Sequence, residues 1–223
     1  MCIYILITYI LPTYLPISLP KVTRLFYQFE EIVNSYRFMN TKGQFSVDSI
    51  LAVYKELGCW ACVKVIHSLF MSLEVSSLAM RNNSEFIHRN EFLNKCLDFF
   101  KSKYDFGDLE EGEVEPSPEA EGMISSQVKE LLEQLEFHRK ISGEQLSCII
   151  FVKRRYTAFA LSNLINQTYK NYIRSMHIVG QDIKLKFVVD NQLQANEAQA
   201  TAIDKFSKGQ YHILVATSVA EEG

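Results

Sequence analysis

The last third of the sequence predicts an α/β fold built on a partial parallel sheet, and the residues before it predict an all-α bundle. Three observations support this. Cys148-Ile149-Ile150-Phe151-Val152, Met176-His177-Ile178-Val179 and His212-Ile213-Leu214-Val215-Ala216 are short apolar runs without polar alternation, the pattern of strands covered on both faces. Two amphipathic stretches lie between them, one carrying Ala158, Leu161, Leu164 and Ile165, the other Ala195, Ala198, Ala202 and Phe206 up to Gly209. From Lys21 to Tyr104 the apolar spacing is helical throughout.

Taken in order, the chain opens on Met1 to Leu19, an uncharged apolar stretch that invites a signal-peptide or membrane-anchor reading. No basic residue precedes it, and Pro12, Pro16 and Pro20 break it below spanning length, so residues 1–20 stand apart and no membrane role is expected. Residues 21–104 read as a helical bundle. One stripe runs through Val22, Leu25, Phe26, Phe29, Ile32, Val33 and Tyr36; a second through Val47, Ile50, Leu51, Tyr54 and Leu57. Gly58 allows a break or close packing before Val63, Ile66, Leu69, Phe70 and Leu73, and Ser84 to Ser102 adds Phe92, Leu93, Cys96, Leu97, Phe99 and Phe100.

Residues 105–123 form the next segment, in which Asp105 to Glu121 is acidic, lacks basic residues and contains Pro116 and Pro118. It has too little to bury against its ordering entropy and is expected to be a disordered linker. Ser125 or Ser126 can cap a connecting helix over 124–146 that carries Val128, Leu131, Leu132 and Leu135. Residues 147–223 hold the strands.

Composition narrows the functional classes. With 223 residues, 48% of them hydrophobic, and a formal charge of −3, the chain has material for a core and no uniformly basic surface, so any nucleic-acid site must be a local patch. Cysteines at 2, 59, 62, 96 and 148 are odd in number and lack framework spacing, which points to reduced, buried thiols. Cys59-Trp60-Ala61-Cys62 has the spacing of a redox or metal pair, but no second pair accompanies it and a helical bundle is the wrong setting for a thioredoxin motif, so core packing is expected. His67, His88, His138, His177 and His212 show no ligand spacing, and no nucleophile is matched to a base; no catalytic or metal residue is assigned.

In a parallel sheet, ligands bind beyond the carboxyl ends of the strands. Lys153-Arg154-Arg155, Gly180 and Thr217 to Gly223 all fall there. Three cations at a helix start oppose the helix dipole, and a local rule broken without evident compensation marks expected function. Such cations suit phosphate oxygens, although an isolated charge triplet is more often a solvated face. Thr217 and Ser218 offer hydroxyls, which after a strand usually cap the next helix. A glycine-rich loop ending Gly-Lys-Ser/Thr and a metal-binding Asp-Glu pair are absent from the sequence.

The string Ile-Ile-Phe-Val-Lys-Arg-Arg-Tyr-Thr-Ala, ending at Ala158, resembles the fourth helicase motif of the Dicer family. Ile-Leu-Val-Ala-Thr-Ser-Val-Ala-Glu-Glu-Gly, ending at Gly223, resembles the fifth motif of the helicase group that Dicer shares with the RIG-I-like receptors. Glu56-Leu57-Gly58-Cys59-Trp60-Ala61 is similar to a segment of the helical insertion in Dicer's second helicase lobe, and the acidic stretch stands where the family can carry one. The resemblance covers most of residues 21–223, specifically in the last third and loosely before it; Asp182 to Gln192 departs from the family pattern.

The resemblance implies a RecA-like fold, the truncated second lobe of a P-loop NTPase helicase carrying an all-α insertion. It implies a fragment of a cytoplasmic endoribonuclease that binds double-stranded RNA and processes it, ATP-dependently, into small RNAs for RNA interference. Arg155, with Lys153 and Arg154, would meet phosphate; Thr217 would touch the RNA backbone, with Ser218 and Gly180 on the same edge; Glu222 would position the loop and Gly223 would lie near nucleotide. ATP and Mg²⁺ would belong to the full-length family member, with no cofactor and no ATPase activity expected in this chain alone. A partner protein with double-stranded-RNA-binding domains would dock on the insertion. Two rivals are a RIG-I-like sensor ATPase and a stand-alone RNA- or protein-binding helical module.

Overall fold

The computed structural model describes residues 3–7, 20–40, 45–80, 84–103, 122–143, 146–170, 172–178 and 195–217. In chain order the elements are β1 (Ile3–Ile7), α1 (Pro20–Ser35), a 3-10 turn (Arg37–Met39), α2 (Val47–Leu57), α3 (Cys59–Met80), α4 (Ser84–Lys103), α5 (Ser126–Ser142), β2 (Leu146–Val152), α6 (Arg155–Tyr169), β3 (Ser175–Ile178), α7 (Ala195–Ser207) and β4 (Ile213–Thr217). The sheet order is β1-β2-β4-β3 and every neighbouring pair is parallel. This is the expected α/β architecture with a helical bundle before it.

The bundle forms for the reasons its stripes suggest. Ser46 caps α2, its hydroxyl accepting from the Ser49 amide at 3.1 Å, and Val47, Ile50, Leu51, Tyr54 and Leu57 turn inward. Phe29 of α1 meets Phe100 of α4 with ring centroids 4.8 Å apart, and Tyr54 of α2 closes on Phe100 edge-on at 5.5 Å. Such aromatic pairs add about 0.5–1.5 kcal/mol beyond the area they bury. Cys59, Cys62, Cys96 and Cys148 are free thiols packed inside, as the odd cysteine count suggests.

The helices and the sheet share one apolar core. A single cluster runs from Phe26 and Phe29 through Trp60, Leu93 and Leu131 to Leu161, Ile150 and Val215. On the other side of the sheet a smaller cluster joins Ile178, Ala202, Phe206 and Leu214, so α7 covers that face. All five residues of β4 are therefore buried, which is why its sequence shows no alternation.

One strand lies in the stretch that the sequence sets apart. Ile3–Ile7 is an edge strand, with Ile3 opposite Leu146 and Ile7 opposite Ile150. A short apolar run reads alike as a leader core or a buried strand, and only the distant partner decides between them. No helix among the described residues is long and apolar enough to cross a membrane. The acidic stretch 105–121, the 182–192 stretch, Cys2, Gly180, Ser218, Glu222 and Gly223 lie outside the described residues.

Candidate nucleic-acid edge and the helical elbow beneath it

The elbow between α2 and α3 is built around a glycine. Gly58 has φ +101° and ψ −175°, a conformation open essentially to glycine alone. A Cβ there would stand 2.7 Å from the Met123 carbonyl oxygen and 2.9 Å from the Ser125 amide nitrogen. That space is used for backbone hydrogen bonds: the Trp60 amide donates to Met123 O at 3.0 Å, and the Ser125 amide donates to Leu57 O at 3.0 Å. The Ser125 hydroxyl donates to Glu56 O at 2.8 Å while accepting from the Val128 amide at 3.2 Å, so one side chain closes the end of α2 and caps the start of α5. Met123 and Ile124, where the sequence reading placed the end of a linker and the start of a helix, are buried in this junction.

The elbow fixes Glu56, a buried carboxylate one residue before the end of α2. Its Oε2 accepts from the hydroxyl of buried Thr157 at 2.7 Å, and its Oε1 is hydrogen-bonded and ion-paired with Arg154 Nη1. Arg154 is the N-cap of α6 and makes no side-chain cap bond of its own, and Thr157 lies in the first turn of that helix. The negative charge at this helix start, which the sequence reading sought in a phosphate, is therefore supplied by Glu56 from within the chain. The apparent rule-breaking of the cation triplet is compensated across 98 residues of sequence, where no local pattern could reveal it.

Of the other expected contacts, Lys153 is exposed just past β2 and Arg155 is half-buried at the first position of α6. Thr217 needs a correction in place: it is the last residue of β4, opposite Val152, and is only 4% exposed. The strand runs one residue further than the apolar run suggested, because a β-branched threonine beside a parallel neighbour fits a covered strand as well as a cap. Tyr156, between the cations and Thr157, is buried, and burial pushes its hydroxyl pKa up to about 12. It serves as packing rather than as an acid or base near neutrality. The Tyr169 hydroxyl donates to Leu132 O at 2.7 Å, tying the far end of α6 to α5.

The Cys59/Cys62 pair packs in the first turn of α3, and Cys62 Sγ lies 3.6 Å from Ile50 O. Burial, with Cys96 and Cys59 nearby, raises the Cys62 thiol well above its ordinary range, which opposes thiolate chemistry. Among the described residues no group of three or more His, Cys, Asp or Glu side chains could hold a metal ion.

No family model matches the chain. It is 27% identical over 210 residues, 90% of its length, to Dicer-like protein 1 of Pyricularia oryzae. It is 27% identical over 201 residues, covering 75% of its length, to Endoribonuclease Dicer homolog 1 of Oryza sativa subsp. japonica. Over 109 residues, 48% of its length, it reaches 36% identity with Dicer-like protein 1 of Aspergillus clavatus. The chain is similar to a part of these Dicer proteins. It spans 12%, 10% and 7% of the lengths of those three Dicer proteins. The helicase domain of Hef from Pyrococcus furiosus aligns over 98% of this chain and 46% of its own, at 15% identity and a TM-score of 0.40.

The described residues thus form a parallel sheet with its helices and a helical bundle that contains Glu56 to Ala61. The residues that the sequence reading missed belong to that bundle. Glu56 was legible only as one letter of a family-like segment, and a carboxylate near the end of a helix gives no signal of its own until its distant cation is known.

Proposed function

We propose that this chain is part of a Dicer-like helicase region that holds double-stranded RNA by its backbone, with Lys153 and Arg155 as the phosphate-contacting cations. The observation that carries the reading is the adjacency of the β2 and β4 carboxyl ends, Val152 beside Thr217, in a relative of endoribonucleases. Lys153 and Arg155 follow that edge directly, where ligands of parallel sheets bind. Phosphate contact carries no base information, so binding is sequence-independent and salt-sensitive. Ser218, Gly180 and Glu222 belong to the proposed edge by sequence position, and Gly223 to its nucleotide side. Thr217 borders the edge as an uncharged neighbour.

In this reading ATP, Mg²⁺ and the nuclease step belong to the full-length Dicer-like protein; the sequence here shows no glycine-rich loop ending Gly-Lys-Ser/Thr and no metal-binding Asp-Glu pair. A protein bearing double-stranded-RNA-binding domains is the proposed partner of the bundle, and the cytoplasm the proposed site of action. The test is a salt titration of RNA duplex binding by the chain and by Lys153→Ala and Arg155→Ala. Each substitution is expected to weaken all duplexes alike and to shallow the log–log salt slope by about one unit. Parental slope and affinity in both variants would overturn the reading.

A further inference from the structure

The helical bundle places a carboxylate where the sequence alone suggests a phosphate. Glu56 uses both of its oxygens at the start of α6, one for Arg154 and one for the Thr157 hydroxyl at 2.7 Å. Its backbone is held by the Ser125 hydroxyl at 2.8 Å, and the next residues are held by the Gly58 elbow against Met123 and Ser125. The carboxylate is therefore fixed before any ligand arrives. In the ion pair the Glu56 side chain is 9% exposed and that of Arg154 38%, so solvent reaches the cation and scarcely reaches the anion.

We propose that Glu56 is a positioning residue that acts as an internal stand-in for phosphate: it retains Arg154 at the start of α6 and leaves Lys153 and Arg155 to carry the RNA contact. The inference rests on the RNA-backbone reading and refines it. A phosphate could recruit Arg154 only by stripping it from a buried carboxylate whose other side-chain partner among the described residues is the neutral Thr157 hydroxyl. The edge thus withholds one of the three cations that the sequence shows. Because Glu56 also grips Thr157, the bundle sets the position of the first turn of α6, and with it the place of Arg155.

The deciding measurement is the salt slope of binding to a blunt, mixed-sequence RNA duplex between about 50 and 200 mM salt. Glu56→Gln keeps the size of the side chain and an oxygen for Thr157 while removing the charge that retains Arg154. It is expected to release that cation to the RNA and steepen the slope by about one unit, which is roughly a 3.5-fold larger loss of affinity across this fourfold range. The double variant Glu56→Gln/Arg154→Gln removes both charges and is expected to return to the parental slope. A purely structural role for Glu56 would lower stability and leave the slope where it was.

If Glu56→Gln folds and keeps the parental slope, or if the double variant is shallower than the parent by a unit, the Glu56 assignment is wrong while the RNA reading stands. If Glu56→Gln does not fold, the double variant alone decides by the same criterion. If neither the parent nor the variants bind the duplex in a salt-dependent way, the RNA reading and this inference fall together.

Discussion

A buried carboxylate with one cationic and one hydroxyl partner binds its cation more tightly than an exposed phosphate contact can. Removing one member of a buried ion pair costs about 3–5 kcal/mol, less here because Arg154 is partly exposed, whereas an exposed ion pair contributes about 0–1 kcal/mol. The internal contact wins at Arg154. His177 shows the opposite use of burial. It lies in β3 against the Phe159 ring, with centroids 5.6 Å apart, and desolvation lowers its pKa from the ordinary value. An unfolded histidine titrates near about 6.5, so between that pH and the lower folded pKa the unfolded chain holds a proton that the native chain refuses. Stability should accordingly be flat above neutrality and fall as the pH drops through about 6.5 toward the folded pKa. Urea midpoints at several pH values should fall more steeply with acidification in the parent than in His177→Leu; parallel profiles would show that His177 is not the titrating group.

At the scale of elements, Gly58 and Gly143 separate two costs that are usually confounded. Both close helices with positive φ, +101° and +57°, but a Cβ at Gly143 would meet nothing within 4 Å, whereas one at Gly58 would press on the backbone of Met123, Ile124 and Ser125. Alanine at either site costs about 1–3 kcal/mol in backbone conformation. At Gly58 overpacking adds about 1–3 kcal/mol more, since a backbone cannot swing aside. Gly58→Ala should therefore lower unfolding stability by about 2 kcal/mol more than Gly143→Ala in urea titrations, and equal losses would mean that the elbow relaxes freely. The chance of a break or close approach at Gly58 was legible in sequence because glycine stands between two apolar stripes. Its neighbours across the elbow were not, because Met123 to Ser125 arrive after an acidic stretch with no pattern of its own. The same contrast runs through the sheet: β2, β3 and β4 declared themselves as apolar runs between amphipathic helices, while β1 could not be told from a leader. The cations at the proposed edge were legible from their place after β2, and the partner of Arg154 was not.

For the whole molecule, the single core that joins bundle and sheet implies cooperative unfolding. Helix α6 packs against both α2 and α3 on one side and against β2, β3 and β4 on the other, and buried residues connect Phe100 to Val215 without interruption. A bundle with its own separate core would open alone, whereas one that shares side chains with the sheet must expose the sheet's inner face as it leaves. Native-state hydrogen exchange should then give the same opening free energy for Ile66 in α3, Ile150 in β2 and Val215 in β4. Phe100 is fully buried, and its replacement by alanine should cost about 3–5 kcal/mol. If unfolding is cooperative, Phe100→Ala lowers protection at all three amides by the same amount, although Phe100 belongs to the bundle and two of the amides belong to the sheet. Loss of protection at Ile66 alone, with Ile150 and Val215 unchanged, would mean that the bundle opens independently. Glu56 would then hold Arg154 only while the bundle stays closed, and the number of cations offered at the sheet edge would vary with that opening.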